Sequence, residues 1–356
     1  MPALTDFDIS DLAELFSAWG FKPSHARRLL RAFYLAAGRP DIHSLRLGKA
    51  LERMLQSDGA ASPILRLNQS AIRLRTDAAD GTVKLLIGLE KGGSVESVLM
   101  PAYDGRRAAG CVSSQIGCAM GCDFCASTRH GLERNLASGE IVEQFLHLRA
   151  LSAALDRRLS TLVFMGMGEP MHNLENVIAA IRRIAAPEMG NLGFRNITVS
   201  TVGIVPGIRR LAAADLNVHL ALSLHGPDDE TRGRIVPANR RYPVADIVTA
   251  ARDFQRQTGR IVTIEYCLLG GINDSDLHAR RLAELIGDWR AHVNLIPYNS
   301  IGAGLSGRVY ERPSAERTAA FLSILRDRNV VVHCRRPRGD DVAAACGQLR
   351  ALAAAP

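Results

Sequence analysis

Cys118-Ala-Met-Gly-Cys122-Asp-Phe-Cys125 is the stretch on which the reading of this chain turns. It sets three cysteines at C-x3-C-x2-C spacing on what reads as one loop. Three thiolates can hold three irons of a [4Fe–4S] cluster, where an electron-carrying cluster usually takes four. The fourth iron then keeps an open position, the mark of a catalytic rather than a structural metal site. A zinc knuckle is the competing reading, with Cys111 or His130 as fourth ligand, but the usual second C-x2-C pair is missing. Three buried core cysteines fit less well, because the residues between them show no clear apolar periodicity.

Outward from the loop, apolar strand-like runs fall near 109–113, 161–166, 195–200, 217–223, 260–267, 291–296 and 330–334. Helical patterns lie between most of them, at 138–155, 173–185, 245–257, 275–287 and 314–327. That alternation predicts an α/β fold of parallel strands with helical crossovers, better suited to a partial (β/α) barrel than to a flat sheet. In barrels the chemistry sits at the C-terminal ends of strands, and the cysteine loop follows the first of these runs. Residues 1–75 read as a helical domain, with helices from Asp8 to Trp19 and from Pro23 to Ala36. Residues 76–107 read as a β-hairpin linker, turning at Lys91-Gly92-Gly93. The barrel then takes 108–356, its Ala-rich end from Ala351 expected to fray.

The chain has 356 residues, 47% hydrophobic and 22% charged, ordinary for a soluble globular protein. No apolar run reaches the length of a membrane span, and no secretory signal is visible after Met1. Seven cysteines without such a signal point to a reducing, cytoplasmic setting where thiols serve metals or catalysis. A net charge of +8 suits a polyanionic partner such as RNA without requiring one. Arg27, Arg28 and Arg31 on the second helix, and Arg232, Arg234, Arg240 and Arg241 around Pro237, are each either phosphate contacts or solvated surface.

Other constellations are weaker alone. Gly166-Met-Gly168-Glu169-Pro170 ends a strand-like run. Its glycines permit close approach of a ligand, and Glu169 can accept from an ammonium group. Near the C-terminus, Arg338-Gly-Asp-Asp-Val-Ala-Ala-Ala-Cys346-Gly-Gln-Leu349 reads locally as a helix capped by Asp340 or Asp341 with Cys346 buried. Cys111 is either a buried strand cysteine or a redox partner.

Taken together, Cys111 to Cys125, Gly166 to Pro170, Ser223-Leu224-His225 and the Gly339–Leu349 tail resemble the RlmN/Cfr family of radical-SAM RNA adenosine methyltransferases, and RlmN more than Cfr. The resemblance covers nearly the whole chain. It implies a [4Fe–4S] cluster on Cys118, Cys122 and Cys125, with two molecules of S-adenosylmethionine used per methylation. It implies cofactor contacts at Gly168, Glu169, Ser200, Ser223, Leu224, His225 and Asn299. Cys346 would accept a methyl group as a thiolate and then give up a hydrogen atom. The resulting carbon radical adds to C2 of an adenine, Glu96 takes the ring proton, and Cys111 releases the product by forming a disulfide with Cys346. The implied substrate is 23S rRNA, and in family members also the adenosine 3′ of a tRNA anticodon. A flavodoxin-type one-electron donor and a monomeric enzyme are implied too. The rival readings are C8 methylation of Cfr type and a non-catalytic zinc-stabilised RNA-binding protein. One departure stands out: Thr128 occupies a position where the family usually has glycine, so a changed loop is expected there.

Overall fold

The structure is a computed structural model that describes residues 2–56, 65–335 and 338–349; the Ala-rich end lies outside them. The chain opens with three helices, α1 (Ile9–Ala18), α2 (Ser24–Leu35) and α3 (Lys49–Gln56). Asp8 caps α1 by accepting from the Asp11 N–H, and Leu12, Phe16, Leu29 and Phe33 supply the buried face. Three antiparallel strands follow: β1 (Ser70–Asp77), β2 (Val83–Leu89) and β3 (Ser94–Pro101). The expected hairpin is therefore a three-stranded arm, and β1 occupies the end of a segment expected to be helical. Both faces of β1 are largely exposed, and its ladder shifts register between Ile72 and Leu74. A solvated, bulged edge strand carries no burial pattern from which to predict it.

The arm runs directly into the main sheet. β3 pairs antiparallel with β4 (Arg107–Cys111), and β4 begins a parallel series with β7 (Arg158–Phe164) after a small excursion, β5 (Gln115–Gly117) and β6 (Leu132–Asn135). The series continues in chain order through β8 (Ile197–Thr201), β9 (His219–Ser223), β10 (Val262–Leu268), β11 (His292–Pro297) and β12 (Val331–Cys334). The crossovers are α4 (Ser138–Ala154), α5 (Leu174–Ala185), α6 (Val205–Ala213), a short α7 (Asp229–Gly233) with α8 (Val244–Thr258), α9 (Asp276–Ile286) and α10 (Ala315–Asp327). All seven strand-like runs and all five predicted helices are present, with ends shifted by a few residues. Helix α6 was hidden because Pro206 and Gly207 fall in its first turn; a Cβ at Gly207 would lie 2.5 Å from the Met171 Cβ.

Alternate strand residues such as Val199, Leu220, Ile264, Val293 and Leu295 are buried in the core that the helices cover. The other set faces inward. Cys111 on β4 and Cys334 on β12 wall the same cavity although their strands lie far apart in sheet order. The sheet therefore curls into a partial barrel, with no ladder pairing β12 to β4 among the described residues. No helix among them is long and apolar enough to cross a membrane.

Candidate active site

The antiparallel pair β5–β6 forms the base of the cysteine loop. The Cys118 N–H donates to the Gly131 carbonyl at 2.9 Å, and the Cys125 N–H to the Cys122 carbonyl at 3.0 Å. Thr128 sits in a 3-10 turn, Ala126–Thr128, and its hydroxyl proton is shared between the carbonyls of Cys125 (2.9 Å) and Cys122 (3.3 Å). Left-handed backbone falls instead on Gly121 and Gly131. The departure from the family glycine is thus met by a side chain that bonds the loop to itself. The three thiols line one cavity at the C-terminal rim of the strands. Burial pushes the Cys118 thiol up to about 12 and those of Cys122 and Cys125 upward as well, so protons must leave when metal binds. Among the described residues no three His, Cys, Asp or Glu side chains converge as ligands of a single ion. Three thiols on one loop beside one cavity can each take a separate iron, so the donor set fits a cluster.

Glu169 lies beside this loop, with Oε1 accepting from the Met171 N–H at 3.0 Å and Oε2 from the Val202 N–H at 2.9 Å. Burial raises its pKa to about 7 against those hydrogen bonds. The two glycines before it serve packing: a Cβ on Gly166 would lie 2.6 Å from Ser113 Oγ, and one on Gly168, at φ +99°, would lie 2.5 Å from Gln115 Cβ. Gln115 in turn accepts from the Glu169 N–H at 2.8 Å. Ser200 and Ser223 share a hydrogen bond of 3.2 Å at the ends of β8 and β9 and line the same cavity. His225 does too, at φ +58°. Its Nδ1 accepts from the Cys267 N–H at 3.0 Å, which leaves the proton on Nε2. Burial, and then Arg232, hold it neutral with a pKa of about 3. Leu224 does not reach the cavity; its side chain belongs to the core, and its backbone joins Glu265 and Arg232.

Arg232 corrects the reading of a surface arginine. It is 0% exposed, donates to the carbonyls of Leu224 and Val202 and to Asn239, and faces Cys122 electrostatically. It holds the strand ends around the cavity rather than meeting RNA. Arg27 pairs with Glu188, and Arg28 donates to the Leu45 carbonyl.

The tail corrects the helix expectation. Asp340–Val342 is one 3-10 turn, and the aspartates clamp instead of capping. Asp341 accepts from the Ala79 N–H at 3.0 Å, and Asp340 accepts from Gln348 at 2.9 Å and Arg312 at 3.1 Å. Beyond it the Gly347 carbonyl accepts from the Ala126 N–H at 2.7 Å, and the Leu349 carbonyl from Ser127 Oγ at 2.6 Å. These bonds lay Cys346 against the cysteine loop, on the surface rather than buried. Asn299 donates to the Cys346 carbonyl at 3.5 Å and is itself held by Arg312.

Cys111 ends β4 across the adjoining cavity from Cys346, and burial pushes its thiol up to about 12, helped by the neighbouring Cys346. Glu96 is buried on β3, paired with Lys84 at 3.2 Å, and Lys84 also donates to the Ala343 carbonyl at 3.2 Å. Two groups had escaped notice in the sequence. Arg335, just after β12, donates from Nη1 to Cys346 Sγ at 3.7 Å. Glu265 on β10 accepts from Asn294 at 3.0 Å while its Oε2 has no partner among the described residues. Neither belongs to a motif; only the curl of the sheet brings them to the cysteines.

A model of the radical SAM superfamily matches residues 112–283 of this chain, and one of the TilS substrate binding domain matches residues 20–78. "Probable dual-specificity RNA methyltransferase RlmN 1" of Opitutus terrae is 52% identical over 98% of this chain and 97% of its own length. A like-named protein of Thermosynechococcus vestitus is 45% identical over 90% of this chain and 95% of its own. The crystal structure of a radical SAM methyltransferase from Sphaerobacter thermophilus superposes with a TM-score of 0.91, at 40% identity, covering 99% of this chain and 100% of that one. The chain belongs to the RlmN family of radical-SAM RNA methyltransferases. It is an S-adenosylmethionine-dependent enzyme with a [4Fe–4S] cluster, and its substrate is RNA.

Proposed function

We propose that this enzyme methylates C2 of an adenosine in 23S rRNA, and the adenosine 3′ of a tRNA anticodon, as a cytoplasmic monomer fed by a flavodoxin-type electron donor. Cys118, Cys122 and Cys125 would hold the cluster, and Gly168, Glu169, Ser200, Ser223, His225 and Asn299 would hold S-adenosylmethionine. When bound, these groups supply a methyl donor and a one-electron route to a radical. The observation that carries the reading is that Cys346 and Cys111 wall one cavity beside the three-cysteine loop.

The chain's own residues then divide the work. Cys346, exposed and facing the Arg335 guanidinium, accepts the methyl group as a thiolate. Its methyl group gives up a hydrogen atom, and that carbon then bonds to the adenine. Glu96, held by Lys84 beside the tail, takes the ring proton. Burial keeps Cys111 a thiol until the last step, when it gives up its proton and attacks the Cys346 sulfur; the sulfur–carbon bond to the methylated product breaks, and a disulfide closes that a reductant must reopen. The N-terminal segment, residues 1–75, would grip folded RNA. The dual-specificity name of the relatives supports a second RNA substrate.

The test is product analysis. The anaerobically reconstituted enzyme is incubated with transcribed 23S rRNA or tRNA, S-adenosylmethionine and reductant, and the digested nucleosides are identified by mass spectrometry. 2-Methyladenosine that disappears in Cys346→Ala is the expected result. 8-Methyladenosine would move the chain to Cfr chemistry, and no RNA product beside an active RlmN control would overturn the reading.

A further inference from the structure

The cavity between Cys111 and Cys346 has apolar walls, among them Val98 and Met100 from β3, Ala109 from β4 and Val163 from β7. At its mouth the turn between β3 and β4 carries Tyr103, which is 83% exposed. The guanidinium carbon of Arg338 lies 4.4 Å from the centre of the Tyr103 ring. Arg338 is fixed there by donating to the Pro101 carbonyl. Arg107 lies on the same rim, held by Asp104 at 2.6 Å. Burying the Tyr103 ring would contribute to folding, yet the fold leaves most of it in water. A ring stacked on a fixed cation, at the entrance to an apolar slot that ends in two thiols, matches the chemistry of single-stranded RNA. Unstacked bases settle on aromatic and guanidinium planes while arginines meet the phosphates.

We infer that the Tyr103–Arg338 stack is a base platform for the RNA substrate. The target adenine leaves its own stack and enters the cavity; the base next to it in the strand stacks on Tyr103, and Arg338 and Arg107 face the connecting phosphates. The platform supplies the stacking that the extruded base and its neighbour lose, and it fixes how far the target ring reaches toward Cys346. This inference rests on the reading that the cavity receives the RNA base to be methylated.

The experiment measures binding of transcribed 23S rRNA fragments and tRNA to the reconstituted wild type, Tyr103→Ala and Tyr103→Phe. RNA carrying fluorescent 2-aminopurine beside the target adenosine is used as the probe. Tyr103→Ala should bind about tenfold more weakly, the loss of one stacked base, and should lose the quenching of 2-aminopurine. Tyr103→Phe, which keeps the ring, should restore both. Iron content and methyl loading of Cys346, which needs no RNA, separate a platform defect from a folding one. Unchanged affinity and quenching in Tyr103→Ala, while the wild type still methylates RNA, would overturn the platform alone. A wild type that neither binds nor methylates either RNA would overturn the reading beneath it.

Discussion

Thr128 stands where the family usually has glycine, and its one hydroxyl proton is shared between the carbonyls of Cys125 and Cys122. Thr128→Gly removes that shared bond and adds backbone freedom, so the holo-protein should lose about 1–2 kcal/mol in denaturant melting while keeping its iron. Arg335 is the residue whose role could not be read in advance. Replacing it with Met should slow methyl loading of Cys346 about tenfold, the size of one charge-assisted hydrogen bond. Peptide mass spectrometry checks this directly, and Arg335→Lys should recover part of the rate. The cysteines were legible because their spacing lies within one loop. Arg335 and Glu265 were not, because each meets the site only through the curl of the sheet, and Lys84 was not, because only the β2–β3 pairing sets it beside Glu96. Gly166 and Gly168 were legible as glycines required at a strand end, yet what a side chain there would strike is Val112, Ser113 and Gln115.

At the scale of elements, the joint between the N-terminal segment and the barrel turns on one buried side chain of α4. Glu143 accepts from the Gln69 N–H at 2.7 Å, from Thr5 Oγ1 at 3.2 Å and from Ser70 Oγ. Burial raises its pKa to about 7 despite those donors. The folded state therefore binds this proton more tightly than the unfolded chain, whose Glu titrates near 4.3. Stability from this group is fully present below about pH 4, falls by about 1.4 kcal/mol per pH unit as pH rises toward 7, and levels off above. Glu143→Gln should flatten that slope between pH 5 and 7 in denaturant melts; an unchanged slope would contradict the assignment. The elements that the sequence announced share strong periodicity and helix-length crossovers. Those that stayed hidden had a physical reason: β1 is exposed on both faces, β5 and β6 are three and four residues long, and α6 carries proline and glycine at its start.

At the scale of the whole molecule, the chain folds back so that its C-terminal part completes a site begun near its middle. The tail bonds to the turn before β2 through Asp341 and Gly339, to the cysteine loop through Gly347 and Leu349, and to the loop after β11 through Gln348. This three-way anchoring sets Cys346 between the cluster cavity and Cys111, a placement no local pattern specifies. The local pattern around Asp340 in fact suggested a capped helix, since an aspartate beside an alanine run looks the same whether it caps or clamps. The pairing of Cys111 with Cys346 is tested most directly by incubating Cys111→Ala with RNA, S-adenosylmethionine and reductant, then running a denaturing gel. A covalent RNA–protein adduct, mapped to Cys346 and absent when Cys346 is also replaced, is the predicted result. Normal multiple turnover by Cys111→Ala, with no adduct, would contradict it.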